Sequence, residues 1–267
     1  MIKVVLLTDL DNTIIYGKTK YRTGDICVEK DAGGKEITFM GREAFERFAL
    51  VQDKYKNILE VIPVTSRSYA EYMRIADTGL LKFRYAFIDN GAGLIEGNVR
   101  CTRGVWGETG KAFSLEPYLG ILRQYVDRVR LVDNCFYYGK LKDGVTVNDS
   151  VVLGRTGAGH DVYLQRSGCK LYLLTDRTSK EAAVKAVLGY NKVYGCGGVY
   201  IVCAGDSVMD VVMAKRVDTA VFSNDVKPSD AGLYGTGIQF VENCDDNLVN
   251  VILDKVTVLC EEAQGLA

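Results

Sequence analysis

The stretch Asp9-Leu10-Asp11-Asn12-Thr13 follows an apolar segment, Lys3 to Thr8, near the start of this 267-residue sequence. The segment is rich in β-branched residues and leucine and does not alternate, which predicts a strand buried on both faces of a parallel sheet. Two carboxylates therefore lie two residues apart where this strand ends. One of them can attack an electrophile or hold a metal while the other exchanges a proton, and the Thr13 hydroxyl can meet an anion. The stretch indicates phosphoryl chemistry.

A solvated turn, an EF-hand loop and a P-loop are the alternative interpretations of this stretch. A solvated acidic turn stays open, because acidic loops at strand ends are common. An EF-hand loop is excluded, since Ile14 stands where the sharp turn needs glycine and Lys20 where the bidentate glutamate belongs. A P-loop is also excluded: Gly17-Lys18-Thr19 gives its ending, but Asn12 occupies the position of its first glycine.

Composition places the chain among ordinary globular proteins, with room for one large or two modest domains. The formal net charge is −1, so bulk electrostatics indicate neither a nucleic-acid nor a membrane surface, and the sequence does not indicate an oligomeric state. The eight cysteines include no Cys-x-x-Cys pair. With no recognisable signal peptide, they predict free thiols and a cytoplasmic protein. His160 is the only histidine, which disfavours a histidine-based triad or metal site.

A second buried strand is predicted from Ile58 to Val64, ending at Thr65-Ser66-Arg67. Ser68 and Glu71 form a capping box, so a helix starts directly after this strand. Hydroxyl groups beside a helix N-terminus favour an anion, because free N–H groups and the helix dipole both face it. An ordinary helix cap explains the segment equally well.

For the segments around these two strands, the sequence predicts secondary structure in less detail. Residues 17–40 are polar and contain glycine, and we expect a hairpin there that overhangs the first strand, followed by a helix near Arg42 to Lys56. Arg84 to Ile88 is a third strand, followed by Asp89-Asn90-Gly91-Ala92. The glycines at 91 and 93 do not complete a dinucleotide-binding Gly-x-Gly-x-x-Gly motif.

The character of the sequence changes between residues 95 and 173. Short alternating segments such as Asp143 to Val152, glycine turns and aromatic residues predict a separate α+β unit. The glycine-rich loop from Gly154 to His160 is either a plain turn or a segment that touches substrate.

Parallel-sheet character returns after Asp176. Thr178 and Glu181 have the spacing of a capping box, which places Lys180 in the first turn of a helix that ends near Gly189. A cation is unfavourable at a helix N-terminus unless an anion faces it. A solvated surface lysine is the alternative.

A further buried strand, Val199 to Ala204, ends at Gly205-Asp206-Ser207-Val208-Met209-Asp210. Asp206 and Asp210 are four residues apart, about one helical turn, so both can face one point. Clustered carboxylates need a cation, and oxygen-only ligands favour Mg²⁺.

These candidate groups all follow buried strands or begin a helix, and ligands of open parallel sheets bind beyond the carboxyl ends of the strands. The last strands are predicted at Asp218 to Phe222 and Gly237 to Val241, with a closing helix from about Asp246. We therefore expect an α/β fold in which a Rossmann-like, doubly wound parallel sheet carries an inserted α+β cap domain.

The motifs resemble those of the haloacid dehalogenase (HAD) superfamily, specifically its Cof-like phosphatases with a large α/β cap (type IIB). Motif one is similar to Asp9-Leu10-Asp11-Asn12-Thr13, motif two to Thr65-Ser66-Arg67, motif three to Lys180 and motif four to residues 205–210. Asn90-Gly91-Ala92 is similar to the Asn-Gly-Ala that precedes the cap in this subclass. The resemblance implies a core of residues 1–94 and 174–267 and a substrate-specifying cap of residues 95–173.

The resemblance also implies a mechanism. Asp9 would attack phosphorus to form an aspartyl-phosphate, and Asp11 would protonate the leaving alcohol and then deprotonate water. The presence of Asp11 disfavours the dehalogenase branch, which lacks this acid/base residue. Phosphate binding would fall to Asn12, Thr13, Thr65, Ser66 and Lys180. Mg²⁺ would be held by Asp9, the Asp11 carbonyl, Asp206 and Asp210. Arg67 and Asn90 are weaker candidates for substrate contacts.

Two features depart from the family pattern. Met209 replaces the asparagine usual in motif four, and the segment after motif one is long. The expected function is Mg²⁺-dependent hydrolysis of a small phosphorylated metabolite, such as a sugar or polyol phosphate, without nucleic-acid or membrane partners. A sugar phosphomutase and a non-catalytic binding protein on the same fold are the alternatives.

Overall fold

A computed structural model describes residues 3–101, 115–194, 198–226 and 237–265, and the side chains of residues 190–194 are not described. Within these residues no helix has the length and apolar character needed to cross a membrane. The strands are β1 (Lys3–Thr8), β2 (Tyr16–Gly17), β3 (Ile26–Lys30), β4 (Glu36–Met40), β5 (Leu59–Pro63), β6 (Tyr85–Ile88), β7 (Gly93–Glu96), β8 (Val99–Arg100), β9 (Arg130–Val132), β10 (Phe136–Lys140), β11 (Ser150–Arg155), β12 (Asp161–Ser167), β13 (Lys170–Thr175), β14 (Val199–Gly205), β15 (Thr219–Ser223) and β16 (Ile238–Val241). The α-helices are α1 (Arg42–Lys54), α2 (Tyr69–Ala76), α3 (Leu119–Tyr125), α4 (Glu181–Tyr194), α5 (Val208–Val211) and α6 (Asn247–Gln264).

The centre of the fold is a five-stranded parallel sheet with the strand order β16-β15-β14-β1-β5. Successive residues of β1 point to opposite faces: Val4 and Leu6 pack with α1, α2 and α6, whereas Val5 and Leu7 pack with α4 and α5. Both faces are therefore covered by helices, which explains the unbroken apolar run. The predicted α/β class is confirmed.

A small antiparallel sheet, β2-β4-β3, lies beside the carboxyl end of β1, and we call it the flap. Its strands β3 and β4 are the hairpin predicted within residues 17–40. Val28 and Met40 are fully buried against the central core, so the flap is packed onto the rest of the protein.

The second large sheet is antiparallel, with the order β11-β12-β13-β10-β9, and we call this sheet together with α3 the cap. Its own hydrophobic core includes Leu122 of α3 and Leu164 and Leu173 of the sheet. This confirms an α+β cap in addition to the parallel sheet. Within the alternating segment of residues 143–152, the strand begins only at Ser150.

The start of α4 differs from the prediction. The Thr178 hydroxyl hydrogen-bonds with the backbone of Thr175 rather than capping the helix, and Glu181 pairs with Lys185 and Arg216. The helix begins at Glu181, so Lys180 lies just before it and not in its first turn. It also continues past Gly189 to Tyr194, so the low helix propensity of one glycine does not end it.

Candidate active site

The site lies where β1, β5 and β14 end. Thr8 is level with Pro63 of β5 and Ala204 of β14, and the Asp9 N–H donates to the Ala204 carbonyl over 2.9 Å. The parallel sheet thus brings residues that are far apart in sequence to one edge, as the motif positions predicted.

The chain turns tightly after Asp9. The Leu10 carbonyl accepts hydrogen bonds from the N–H groups of Thr13, Ile14 and Ile15. Asn12 takes a left-handed conformation with φ of 58°, which asparagine tolerates better than most residues. This turn buries Asp9 but leaves the Asp11 side chain 46% exposed.

Lys180 joins two of the carboxylates. Its Nζ lies 2.7 Å from Asp9 Oδ1 and 2.5 Å from Asp210 Oδ1, and its side chain is 3% exposed. Burial alone would lower the pKa of Lys180, but the negative charges of Asp210 and Asp9 outweigh it and raise that pKa above its ordinary value. Lys180 is therefore a buried ammonium ion, and the alternative of a solvated surface lysine is wrong.

Asp210 is fixed from its other side. Its Oδ2 accepts from the Ser207 N–H at 2.9 Å and from the Ser207 hydroxyl at 2.7 Å. A Cβ at Gly205 would lie 2.2 Å from the Asp210 Cβ, so only glycine allows this approach. Both Asp210 oxygens are thus hydrogen-bonded within the protein.

The remaining carboxylate, Asp206, receives no hydrogen bond from any residue that the structure describes. One oxygen each of Asp9, Asp206 and Asp210 lie within 4.8 Å of one another. Burial and the charges of Asp9 and Asp210 raise the pKa of Asp206 to about 8. This cluster has more carboxylates than the single Lys180 ammonium can neutralise, and the Asp206 carboxylate is not hydrogen-bonded to any described residue. A bound divalent cation would offset the remaining negative charge.

Asp11 is held by Arg67. The Arg67 Nε lies 2.8 Å from Asp11 Oδ2, and its Nη2 lies 2.7 Å from Asp11 Oδ1, which is a bidentate ion pair. Burial acts to raise the pKa of Asp11, but the charge and hydrogen bonds of Arg67 outweigh it and hold that pKa below the ordinary value. Arg67 thus contacts the predicted acid/base residue.

The predicted phosphate ligands occupy different positions. Thr65 is fully buried, and its hydroxyl accepts from the Arg67 N–H at 3.2 Å. Ser66 and Asn12 line the same cleft as Asp9 and Lys180. Thr13 is buried, lines a neighbouring cavity instead, and its hydroxyl has no hydrogen-bond partner among the described residues.

Asn90 is not among the residues that line the cleft. It is buried, and its Nδ2 donates to the Thr178 carbonyl over 2.5 Å. Gly91 has a φ of 91°, and a Cβ there would approach the Ser179 carbonyl oxygen to 2.5 Å. The Asn-Gly pair therefore holds the segment that carries Lys180.

The cap closes a cleft of about 530 Å³ over these groups. Its lining residues from the parallel-sheet part are Asp9, Asp11, Asn12, Ser66, Lys180, Asp206, Ser207, Val208, Met209 and Asp225. Those from the cap are Asp149, Arg166, Ser167, Gly168, Cys169, Lys170 and Tyr172. The sequence analysis did not identify these cap residues, and Arg166 and Lys170, which flank the turn at Gly168-Cys169, are the signal that could have done so.

No family model and no curated protein matches the sequence. Solved structures do match nearly all of it. The sucrose-phosphatase from Synechocystis sp. PCC6803, solved with sucrose and phosphate, has a TM-score of 0.62 at 12% identity, over 97% of this chain and 98% of that chain. A phosphatase of the HAD superfamily from Bacteroides thetaiotaomicron has a TM-score of 0.54 at 11% identity, over 97% and 96% of the two chains. A subclass IIB sugar phosphatase of the HAD superfamily has a TM-score of 0.56 at 9% identity, over 99% and 100%.

At these identities the comparison establishes the fold. The chain has the architecture of HAD-superfamily phosphatases, with both the parallel core and the cap covered by the match. The resemblance inferred from the four motifs is confirmed at this level.

Proposed function

We propose that this protein is a Mg²⁺-dependent phosphomonoester hydrolase that works through an aspartyl-phosphate on Asp9. The observation that carries the proposal is the contact of Asp9 with the buried Lys180 ammonium, beside the free carboxylate of Asp206 and in the cleft that Asp11 also lines. The fold shared with phosphatases supports it.

In the first step an Asp9 oxygen forms a bond to phosphorus, while the bond from phosphorus to the ester oxygen breaks. Asp11 supplies the proton that the leaving alcohol takes. Lys180 lies beside the attacking carboxylate, where it can offset negative charge on the phosphoryl oxygens. Ser66 and Asn12 line the same cleft and can donate hydrogen bonds to the phosphate.

In the second step water attacks the phosphorus of the aspartyl-phosphate. Asp11, now ionised, takes a proton from this water, and the bond between Asp9 and phosphorus breaks to release inorganic phosphate. The paired contact with Arg67 favours the ionised form that this step requires, and it disfavours the protonated form used in the first step, so Asp11 gives up that proton readily once the alcohol leaves. Asp11 is half-exposed, so it can reach both the alcohol and the water.

The carboxylates of Asp9 and Asp206 and the Asp11 carbonyl would hold Mg²⁺. Asp210 would instead orient Lys180, because both its oxygens are hydrogen-bonded already. When bound, Mg²⁺ supplies positive charge that offsets the charge of the transferring phosphoryl group.

The substrate we propose is a small phosphorylated metabolite, with a sugar or polyol phosphate first. The cleft of about 530 Å³ suits a small molecule, and polar cap side chains surround it. Two structures of the same fold are described as a sucrose-phosphatase and a sugar phosphatase, which supports this choice. Residues 95–173 are the proposed cap domain, inserted between core segments 1–94 and 174–267.

The test is phosphate release from sugar, polyol and nucleotide monophosphates, with Mg²⁺ and with EDTA. We expect release by the wild type with Mg²⁺, and loss of nearly all turnover in Asp9→Asn, because an amide is a poor nucleophile. Asp53→Asn, which changes an exposed carboxylate on α1, is the matched control and should behave as wild type. Turnover by Asp9→Asn in metal-replete protein would contradict the role of Asp9.

The same panel separates the alternatives. A phosphomutase would move phosphate between positions of a sugar with a bisphosphate activator and release it slowly. A non-catalytic binding protein would retain a phosphorylated ligand without turnover in any condition.

A further inference from the structure

A buried carboxylate of the flap, that of Glu29, contacts the candidate site from outside the cleft lining. Glu29 of β3 is 1% exposed, and its Oε2 accepts from the Thr38 hydroxyl at 2.5 Å. Its Oε1 lies 2.9 Å from Arg74 Nε on α2, and its Oε2 lies 2.8 Å from Arg67 Nη1. Burying a carboxylate is costly unless it is paired, and here every oxygen is paired.

Arg67 is shared between Glu29 and Asp11. One edge of its guanidinium, formed by Nε and Nη2, faces Asp11, while Nη1 points to Glu29. The guanidinium is planar and rigid, so fixing Nη1 also fixes the direction of the opposite edge. The orientation of the Asp11 carboxylate therefore depends on a residue that lies outside the cleft lining.

We propose that Glu29 is a positioning residue that acts through Arg67 to orient Asp11 for proton transfer to the leaving alcohol. The inference rests on the proposed phosphatase function. Without the charge of Glu29, Asp11 is the only carboxylate partner of Arg67 among the residues that the structure describes, and no other described residue accepts from its Nη1. The Asp11 side chain is half-exposed, so it then depends on a less firmly held Arg67 for its orientation beside the cleft.

The dependence of kcat/KM on the leaving group distinguishes a positioning role of Glu29 from a merely structural one. A proton from Asp11 matters most when the departing oxygen is strongly basic, as in an alkyl phosphate. It matters little for p-nitrophenyl phosphate, whose phenolate departs without a proton. The value of kcat/KM reports only steps up to departure of the alcohol, so the later use of Asp11 as a base does not enter it.

The experiment compares Glu29→Gln with wild type on benzyl phosphate and p-nitrophenyl phosphate, which are similar in size. We expect kcat/KM for benzyl phosphate to fall by about tenfold or more, and that for p-nitrophenyl phosphate by less than about threefold. Glu36→Gln is the matched control, since Glu36 lies on β4 of the same flap, is exposed and faces Lys30. It should leave both values unchanged.

Equal loss on both substrates would overturn the positioning role and leave the phosphatase proposal intact. Absence of Mg²⁺-dependent release from either compound by the wild type would overturn the proposed function and this inference with it. If Glu29→Gln does not fold, Glu29→Asp decides, because it keeps the charge but shortens the side chain that reaches Arg67 Nη1 by one methylene. The same preference for loss on benzyl phosphate supports the inference, and equal rates to wild type on both substrates overturn it.

Discussion

The Lys180 ammonium lies 2.7 Å from the Asp9 carboxylate, although 171 residues separate them in the chain. The pair is nearly inaccessible to solvent, so water screens it little. Lys180 is also bonded to Asp210, and it is thus a cation shared by two of the three clustered carboxylates.

Replacing Lys180 by methionine should therefore affect both stability and rate. In EDTA the clustered carboxylates lose a bonded cation, and we expect the free energy of unfolding to fall by about 3–5 kcal/mol. With Mg²⁺ we expect kcat to fall by about a hundredfold or more, because a charge beside the phosphoryl group is lost. Urea unfolding and initial rates measure the two effects.

The matched control is Lys185→Met, which removes an exposed lysine of α4 that pairs with Glu181. It should change neither quantity appreciably, since exposed ion pairs contribute little. A Lys180→Met protein as stable as wild type in EDTA would contradict the charge-sharing role.

Asp89 predicts a pH dependence of stability that is independent of the cleft. It is fully buried, and within the part of the chain that the structure describes its Oδ1 has no hydrogen-bond partner, while its Oδ2 lies 2.6 Å from Arg100 Nη2. Burial and the neighbouring Asp133 charge raise the pKa of Asp89 to about 8, against the opposing effect of Arg100. The folded state therefore binds this proton more tightly than the unfolded state.

The sign follows from linkage: stability from this group is complete below about pH 4 and is lost as the pH rises through about 8. Asp89→Asn mimics the protonated form and suits the φ of 52° at this position. We expect it to remove a slope of up to about 1.4 kcal/mol per pH unit. Urea unfolding from pH 5 to 9 measures this, and parallel curves for the two proteins would contradict it.

Local patterns predicted much of the site. Asp9, Asp11, Asp206 and Lys180 were all indicated by their positions at strand ends or beside a helix start, because a buried strand is readable from its own residues. The same reasoning misplaced the start of α4. The Thr178 hydroxyl had two possible uses, and its contact with Thr175 is set by the tertiary fold.

Contacts between segments that are distant in the chain could not be predicted from the sequence. Glu29 and Arg67 are 38 residues apart, and neither position carries a pattern that connects them. Asn90 was a weaker candidate for a substrate contact, and the hydrogen bond from its side chain to a backbone carbonyl 88 residues away was not predicted. Such pairings depend on how the flap and loops pack, which periodicity does not encode.

Lys170 is expected to act on substrate binding from the cap. It lines the cleft, its Nζ is 5.6 Å from the centre of the Tyr138 ring, and its charge acts on Asp11. Lys170→Ala should raise KM for sugar phosphates by about fivefold and change kcat little, as for one exposed charge. Lys140→Ala is the control. Lys140 of β10 lies opposite Lys170 of β13 in the strand register but does not line the cleft. Equal KM values for the two variants would contradict this role.

The packing of Met209 explains why methionine is favourable where motif four of the resembling family usually has asparagine. It is 4% exposed and belongs to an apolar cluster with Phe136, Tyr172 and Leu174 of the cap. An asparagine here would bury an amide among these side chains, whereas methionine packs against them. The residue next to the acidic cluster thus holds the cap onto the core.

Met209→Ala should lower the free energy of unfolding by about 2–5 kcal/mol and raise KM, because the cap loses this contact. Met209→Leu conserves volume and should cost less than about 1.5 kcal/mol. Met209→Asn, which restores the family residue, should be at least as destabilising as alanine, since its amide would be buried in an apolar cluster. Urea unfolding and KM with Mg²⁺ measure these effects. A stable Met209→Asn with unchanged KM would show that the apolar contact does not hold the cap.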